Sequence, residues 1–341
     1  MGFSAILPPM PRYWLYSLAL ILLAQPALGV VIDDFTEGPV SLTDELGFGS
    51  VSDLKLGLDP SHVAAGARYV TFNAIGQPSG GSDTVTVEVD PNGTGSFRQS
   101  PAPNLSAANL FVIYGDTSFG LPPMTLDLLA NNADRLSIAF NHTIPNADPY
   151  ADFALGVFLF SDNAGFYTWV RLPSSDGPFV LDIPYDDVLS SSPNLDLSAI
   201  TKMRFGTSNG TMQGHFEISE VYTSGSPLPG DFNRDGVVDG NDVSSWEQTY
   251  GRLVQSPSYF GYLSTDTNRD SSVDGMDFLS WQANVGATQV SASVPEPASL
   301  SLALIPLALL YRRPSSRDHL AGDINSWPLR QRRSREGLNA T

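Results

Sequence analysis

The sequence predicts a mainly β protein: an antiparallel sandwich of jelly-roll type, followed by a small α domain of two loop–helix units. Three observations carry this. Residues 30 to 223 break into short apolar runs separated by Gly, Pro and Asn. No long stripe of 3.6-residue period interrupts them. A twelve-residue acidic segment, DFNRDGVVDGND at 231–242, then returns as DTNRDSSVDGMD at 266–277.

The chain opens on an export signal at residues 1–29. Arg12 supplies the positive start, WLYSLALILLA the apolar stretch, and the small Ala27 and Gly29 the −3 and −1 positions of a cleavage site. The sandwich domain follows at 30–223. TVTVEV (Thr84 to Val89) alternates at period two and places Val85, Val87 and Val89 on one face; Asn92-Gly93 behind it is a hairpin signal. RYVTFNA, NLFVIYG, RLSIAF, DFALGVFLF, FYTWVRL, FVLDIP, KMRFG and HFEISEVY read the same way, giving about ten strands in two layers. Phe153, Phe158, Phe160 and Trp169 are read as core.

The order of landmarks adds a resemblance. VIDDF opens the domain, FYTWVRLPSSDGPFVLDIPYDDV stands in its second half, and LSAITKMRFGTSNGTMQGHFEISEVY closes it. This resembles galactose-binding-like jelly rolls, including several carbohydrate-binding modules, and implies an extracellular polysaccharide as ligand.

TSGSPLPG shifts the composition into a linker at 224–230, and a repeat unit of 35 residues fills 231–287. The offset matches Trp246 with Trp281 and Gly251 with Gly286 as well as the acids. A hard cation such as calcium takes six to eight oxygens, and a twelve-residue loop supplies them from positions 1, 3, 5, 7, 9 and 12. Here these are Asp231, Asn233, Asp235, the Val237 carbonyl, Asp239 and Asp242. In the second loop they are Asp266, Asn268, Asp270, the Ser272 carbonyl, Asp274 and Asp277. Four carboxylates per loop repel one another until a cation relieves them, which couples binding to folding. Position 6 needs a sharp turn: Gly236 meets that need and Ser271 does not, so the second site is expected to be strained and weaker. Val238 and Val273 are expected to pair between the loops. A helix follows each loop, with Val243, Trp246 and Tyr250 in one stripe and Phe278, Trp281 and Val285 in the other. Gly251 and Gly286 cap them.

The duplicated loop and helix resemble type I dockerins, which implies two bound calcium ions and a cohesin-like partner. Positions 10 and 11, which help choose that partner, are Gly240-Asn241 and Gly275-Met276 rather than a hydroxyl pair. Calcium binding therefore carries over better than cohesin binding.

A short linker, 288–293, leads to VPEPASLSLALIPLALLYRRP. Val294, Pro295, Glu296 and Pro297, an apolar run, and Arg312-Arg313 resemble the PEP-CTERM sorting signal at 294–313. That implies an exosortase-type processing enzyme and a surface location with a C-terminal membrane segment. The apolar run is twelve residues, Leu300 to Tyr311, shorter than a comfortable span. A basic tail, 314–341, continues past it.

Charge and cysteine usage exclude other classes. Residues 30–290 hold 32 acidic and 10 basic side chains, a net of −22, which argues against nucleic acid as a partner. With no cysteine there is no disulfide framework, thiolate metal site or cysteine nucleophile. GTSNG at 206–210 matches a nucleophile elbow in form, but a strand follows it instead of a helix, and Asn209-Gly210 reads as a hairpin turn. Glu88 and Asp90 share a strand face without a third acid; Glu217 and Glu220 are expected on different faces. His62, His142, His215 and His319 show no ligand spacing. The expectation is a non-catalytic exported surface protein. The alternatives are a polysaccharide-degrading enzyme with an appended dockerin, and a structural envelope component.

Overall fold

The computed structural model describes residues 29–44, 49–74, 85–90, 93, 95–99, 108–144, 154–210, 215–252 and 261–289. Phe153, nearly all of the expected export signal, the sorting segment with Val294, Pro295, Glu296, Pro297, Arg312 and Arg313, and the basic tail lie outside them. The chain is mainly β, in two antiparallel sheets.

The six-stranded sheet runs β10 (Gly165–Arg171), β9 (Ala154–Phe160), β12 (Lys202–Gly210), β7 (Ala108–Tyr114), β4 (Ala67–Ala74) and β3 (Gly49–Leu56). The second runs β14 (Tyr262–Leu263), β11 (Phe179–Pro184), β8 (Arg135–Ile144), β13 (His215–Ser224), β6 (Phe97–Gln99), β5 (Val85–Val89) and β2 (Val40–Asp44). β1 (Val31–Asp33) joins β13 at Val221 and Tyr222, while β6 takes the other end of β13 from Phe216 to Ile218. β1 lies in the acidic opening segment VIDDF, and it pairs with the closing strand β13; β2, β3, β6 and β14 were not among the expected runs, and most of these are very short or lack a clean apolar alternation.

Alternation explains the layers. Leu155, Val157 and Leu159 of β9, Met203 and Phe205 of β12, and Leu110, Val112 and Tyr114 of β7 turn inward and are fully buried. They meet Val87, Val89, Phe97, Leu136, Ile138, Phe140, Phe216 and Ile218 from the other sheet. The rings of Phe35, Phe97, Phe205 and Phe216 pack at 5.7 to 6.1 Å in the centre. An ion pair is fully buried in the core. Arg68 Nη1 donates to both oxygens of Asp33 at 2.7 and 2.6 Å, and the Tyr114 hydroxyl donates to Asp33 at 2.6 Å. It ties β1 to β4 and β7 across the core.

Two sequence expectations change here. Asn209-Gly210 is not a hairpin turn between paired strands: β12 belongs to one sheet and β13 to the other. Glu217 and Glu220 do not face opposite ways. Register shifts flank Ile218, the buried set runs Phe216, Ile218, Val221 and Thr223, and both glutamates fall outside it. A bulge changes the phase that simple alternation assumes.

After a short helix, α1 (Tyr185–Ser191), and the last sandwich strands come α2 (Gly240–Thr249) and α3 (Gly275–Asn284). The segment between the acidic loops supplies β14, which pairs with β11 through Leu263–Leu181 and Tyr262–Asp182. Ser264 N donates to the Val180 carbonyl and Ser264 Oγ to the Phe232 carbonyl. Flanked by β8 on one edge and β14 on the other, β11 is buried at all six positions.

Candidate functional site

Two features combine exposed chemistry with defined geometry: the twin acidic loops, and the outer face of the six-stranded sheet.

The loops are near-copies. Asp239 and Asp274 cap α2 and α3 with the same backbone angles, φ −139° and −138°, ψ −163° and −162°. Each closes a capping box: Asp242 Oδ2 accepts from Asp239 N at 2.8 Å, and Asp277 Oδ2 from Asp274 N at 2.9 Å. Asp242 Oδ1 also accepts from Phe232 N and Asn233 N, and Asp277 Oδ1 from Thr267 N. Val237 N donates to Asp235 and Ser272 N to Asp270, at 2.9 and 3.0 Å. The Asn233 and Asn268 amides donate to Asp235 and Asp270. Among the described residues, no three acidic or histidine side chains converge on one point. The carboxylates accept from backbone N–H groups, and an oxygen that accepts one N–H keeps a second lone pair for an ion.

One oxygen stands apart. Asp231 Oδ2 accepts from Gly236 N at 3.1 Å, but buried Asp231 Oδ1 has no hydrogen-bond partner. Burial pushes the Asp231 carboxyl up to about 6, and the charges of Asp242 and Asp235 add to the shift. Asp266 also rises to about 6, from burial and then from Asp277 and Asp270, but both its oxygens are hydrogen-bonded, to Asp270 N and Ser271 N. Position 6 is left-handed in both loops: φ is +83° at Gly236 and +78° at Ser271, a strained conformation for serine.

Val238 and Val273 do not pair with each other. Val238 exchanges backbone hydrogen bonds with Gly286 and Ala287, past the end of α3; Val273 exchanges them with Gly251 and Arg252, past the end of α2. Each loop is stitched to the other half's helix end. The expected apolar stripes also shift. Tyr250 is 56% exposed and Val285 55%, while Asp242, Ser245 and Thr249 form the buried face of α2. Trp246, Phe278 and Trp281 pack in series as tilted rings, with centroids 4.9 and 5.1 Å apart. Gly251 and Gly286 take the left-handed C-terminal positions, φ +73° and +86°.

The outer face of the six-stranded sheet was missed from the sequence. Trp169, Phe158 and Phe160, read there as core, are only partly buried and point away from it. Register aligns two rows across the strands. One is Tyr167, Phe158, Arg204, Ile113 and Tyr69; the next is Trp169, Gly156, Gly206 and Phe111. A Cβ on Gly156 would lie 2.7 Å from the Trp169 ring, so the missing side chain lets the indole lean over the strand. Phe158 meets Trp169 and Phe111 edge-on at 5.7 and 5.8 Å and lies near-parallel to Tyr167 at 6.4 Å. Tyr69 and Phe119 stack at 4.8 Å farther along. Tyr167 is 70% exposed. By this alternation the described strand residues of the face include no Asp or Glu, so they do not form the carboxylate pair of a glycosidase. Asp116 reaches it from the loop after β7.

Three histidines acquire neighbours that no spacing announced, and His319 lies outside the described residues. His142 and His215 rings lie 5.2 Å apart because β8 and β13 pair, and His62 Nδ1 lies 2.5 Å from Asp34. A groove of about 180 Å³ lies where the loops meet the sandwich; its Asp182 is already engaged by Arg135 and Arg234.

No family model matches the chain, and no curated relative matches it. Solved structures similar to it are carbohydrate-binding and glycoside hydrolase folds. A metagenome-derived glycoside hydrolase family 12 endoglucanase matches at 13% identity and TM-score 0.29, over 56% of this chain and 100% of that one. The family 11 carbohydrate-binding module of cellulosomal cellulase Lic26A-Cel5E of Clostridium thermocellum matches at 12% and 0.27, over 57% and 94%. A Clostridium thermocellum family 11 module in complex with a β-1,3-1,4-mixed-linked tetrasaccharide matches at 13% and 0.29, over 58% and 97%.

Proposed function

We propose that the chain is an exported, non-catalytic surface protein that binds polysaccharide on the outer face of its six-stranded sheet. The observation that carries the proposal is the band of Tyr167, Phe158, Trp169 and Phe111 on that face. Exposing a large aromatic side chain on a sheet costs favourable burial, and a row of them suits the apolar C–H faces of successive sugar rings. The Tyr167 hydroxyl and nearby polar groups supply hydrogen bonds to the ring hydroxyls.

The twin loops act as a calcium-binding, dockerin-like pair. The oxygen-only donor set, the left-handed sixth position and the unpartnered buried oxygen of Asp231 fit a hard cation. When bound, calcium would neutralise the clustered carboxylates; Asp231, Asn233, Asp235, the Val237 carbonyl, Asp239 and Asp242 would hold one ion, and the matching residues of the second loop the other. The signal at 1–29 and the V-P-E-P segment with its arginines support export and sorting to the envelope by an exosortase-type enzyme. A cohesin-like protein is the partner such a pair suggests.

The test is affinity electrophoresis of the purified full-length chain through gels containing soluble polysaccharides, with Tyr167→Ala and Trp169→Ala beside it. Retardation by at least one polymer, lost in both variants, is expected. If retardation persists in both variants, this face is not the site.

A further inference from the structure

We infer that this face selects acidic polysaccharides, those bearing carboxylate groups such as polyuronates, over neutral ones. The inference rests on the polysaccharide reading above and adds the charge of the ligand.

Two cations stand among the aromatics. Arg204 lies next to Phe158 in register, two strands from Tyr167, or about 10 Å across the sheet. Lys202 lies next to Phe160 in the adjoining row. The Arg204 guanidinium sits 5.6 Å over the Phe119 ring and the Lys202 ammonium 5.8 Å over Phe160, so each cation rests on an aromatic support. Both reach the same oxygen, Asp116 Oδ2: Lys202 Nζ at 3.0 Å and Arg204 Nη2 at 2.5 Å.

One carboxylate cannot neutralise two cations. Asp116 is buried beneath them, with its other oxygen taken by Ser118 N and Oγ at 3.2 and 2.7 Å. The cluster keeps a charge of +1, while Lys202 and Arg204 stay 33% and 31% exposed. In a chain of net charge −18, a surplus cation beside a partly exposed aromatic band stands out. A single arginine would suffice to hold Asp116 in place; the second cation leaves donor capacity facing outward. A charged N–H donor pairs with a carboxylate more strongly than with a neutral hydroxyl, so a uronate stacked along the band presents its acid group to the outward-facing donors of Arg204 and Lys202. A neutral sugar offers them only weaker hydroxyl acceptors.

The test uses the full-length chain with polygalacturonate and with the same polymer carboxyl-reduced to its neutral form, by affinity electrophoresis at fixed low calcium. Tighter binding of the acidic form by about tenfold is expected, with the preference shrinking as salt rises. Arg204→Gln, and separately Lys202→Gln in case the first disturbs folding, should bring the two polymers close to equal. Asp116→Asn, which frees both cations, should widen the preference. Equal, Tyr167-dependent binding of both polymers overturns the charge selection and leaves the polysaccharide reading standing. A preference untouched by Arg204→Gln and Lys202→Gln also overturns it. Binding of neither polymer, nor of any neutral glycan, removes the polysaccharide reading itself.

Discussion

The indole N–H of Trp246 donates to the backbone carbonyl of Asp274 at 3.0 Å, and Trp281 returns the bond to Asp239 at 2.7 Å. Each tryptophan of one repeat thus holds the helix cap of the other. With the crossed bonds of Val238 and Val273, this makes the two repeats one cooperative unit.

That exchange predicts a remote effect. Trp281→Phe keeps most of the ring packing and removes one N–H, at a cost of about 1 kcal/mol. Amide hydrogen exchange should show lost protection in α2 and the first loop, although the substitution lies in α3. Loss confined to α3 would mean that the repeats fold independently.

Calcium is expected to bind the full-length chain with measurable heat, to raise its melting temperature and to be removed by a chelator. Asp231→Ala should abolish one of two binding events in calorimetry, and Asp266→Ala the other. Two unchanged events in both variants would place the ions elsewhere.

Ser271 holds a left-handed φ of +78° where its counterpart is glycine. Ser271→Gly should therefore stabilise the second loop, by about 1 kcal/mol, and tighten its calcium binding toward that of the first. Gly236→Ser should do the reverse to the first loop. Denaturant unfolding and calcium titration of both variants check this; a destabilising Ser271→Gly would refute the strain.

The raised carboxyls set a pH dependence with a definite sign. Asp231 and Asp266 titrate near 6 in the folded chain, above the ordinary aspartate value near 3.9. Between these values the folded state retains protons that the unfolded state has lost. The contribution of these groups to stability is then greatest below about pH 4 and falls as pH rises to about 6. In chelator, melting temperature should carry this falling component over that window, and Asp231→Asn together with Asp266→Asn should flatten it. Saturating calcium should reverse it, because the ion binds the deprotonated form. An identical slope in wild type and double variant would show that other groups dominate.

Arg68→Ala should cost about 3–5 kcal/mol, since it strands the Asp33 carboxylate inside the core. Replacing both, Asp33→Leu with Arg68→Met, should recover much of that loss. Urea unfolding of the three proteins measures the difference; a mild single variant would mean that water reaches Asp33.

Much of the architecture is legible locally. Period-two runs such as Ala154–Phe160 and Lys202–Gly210 become strands because alternation fixes which side chains share a face. The spacing of Asp231, Asp235, Asp239 and Asp242, and of their copies, fixes turns and helix caps through hydrogen bonds only a few residues long. The lone serine at position 271, in place of glycine, also announces its strain, because φ is a property of one residue.

What the sequence could not decide is which strands lie side by side. Trp169, Phe158 and Arg204 come from three strands, and only the order β10, β9, β12 sets them on one surface. Read alone, an aromatic in an apolar run looks like core, since either face of a strand can be the buried one until a second layer covers it. The bulge near Ile218 and the pairing that unites His142 with His215 are of the same kind. So is the exchange between Trp246 and Trp281. Each depends on register between segments distant in the chain, and register is chosen by the packing of the whole, which no local pattern contains.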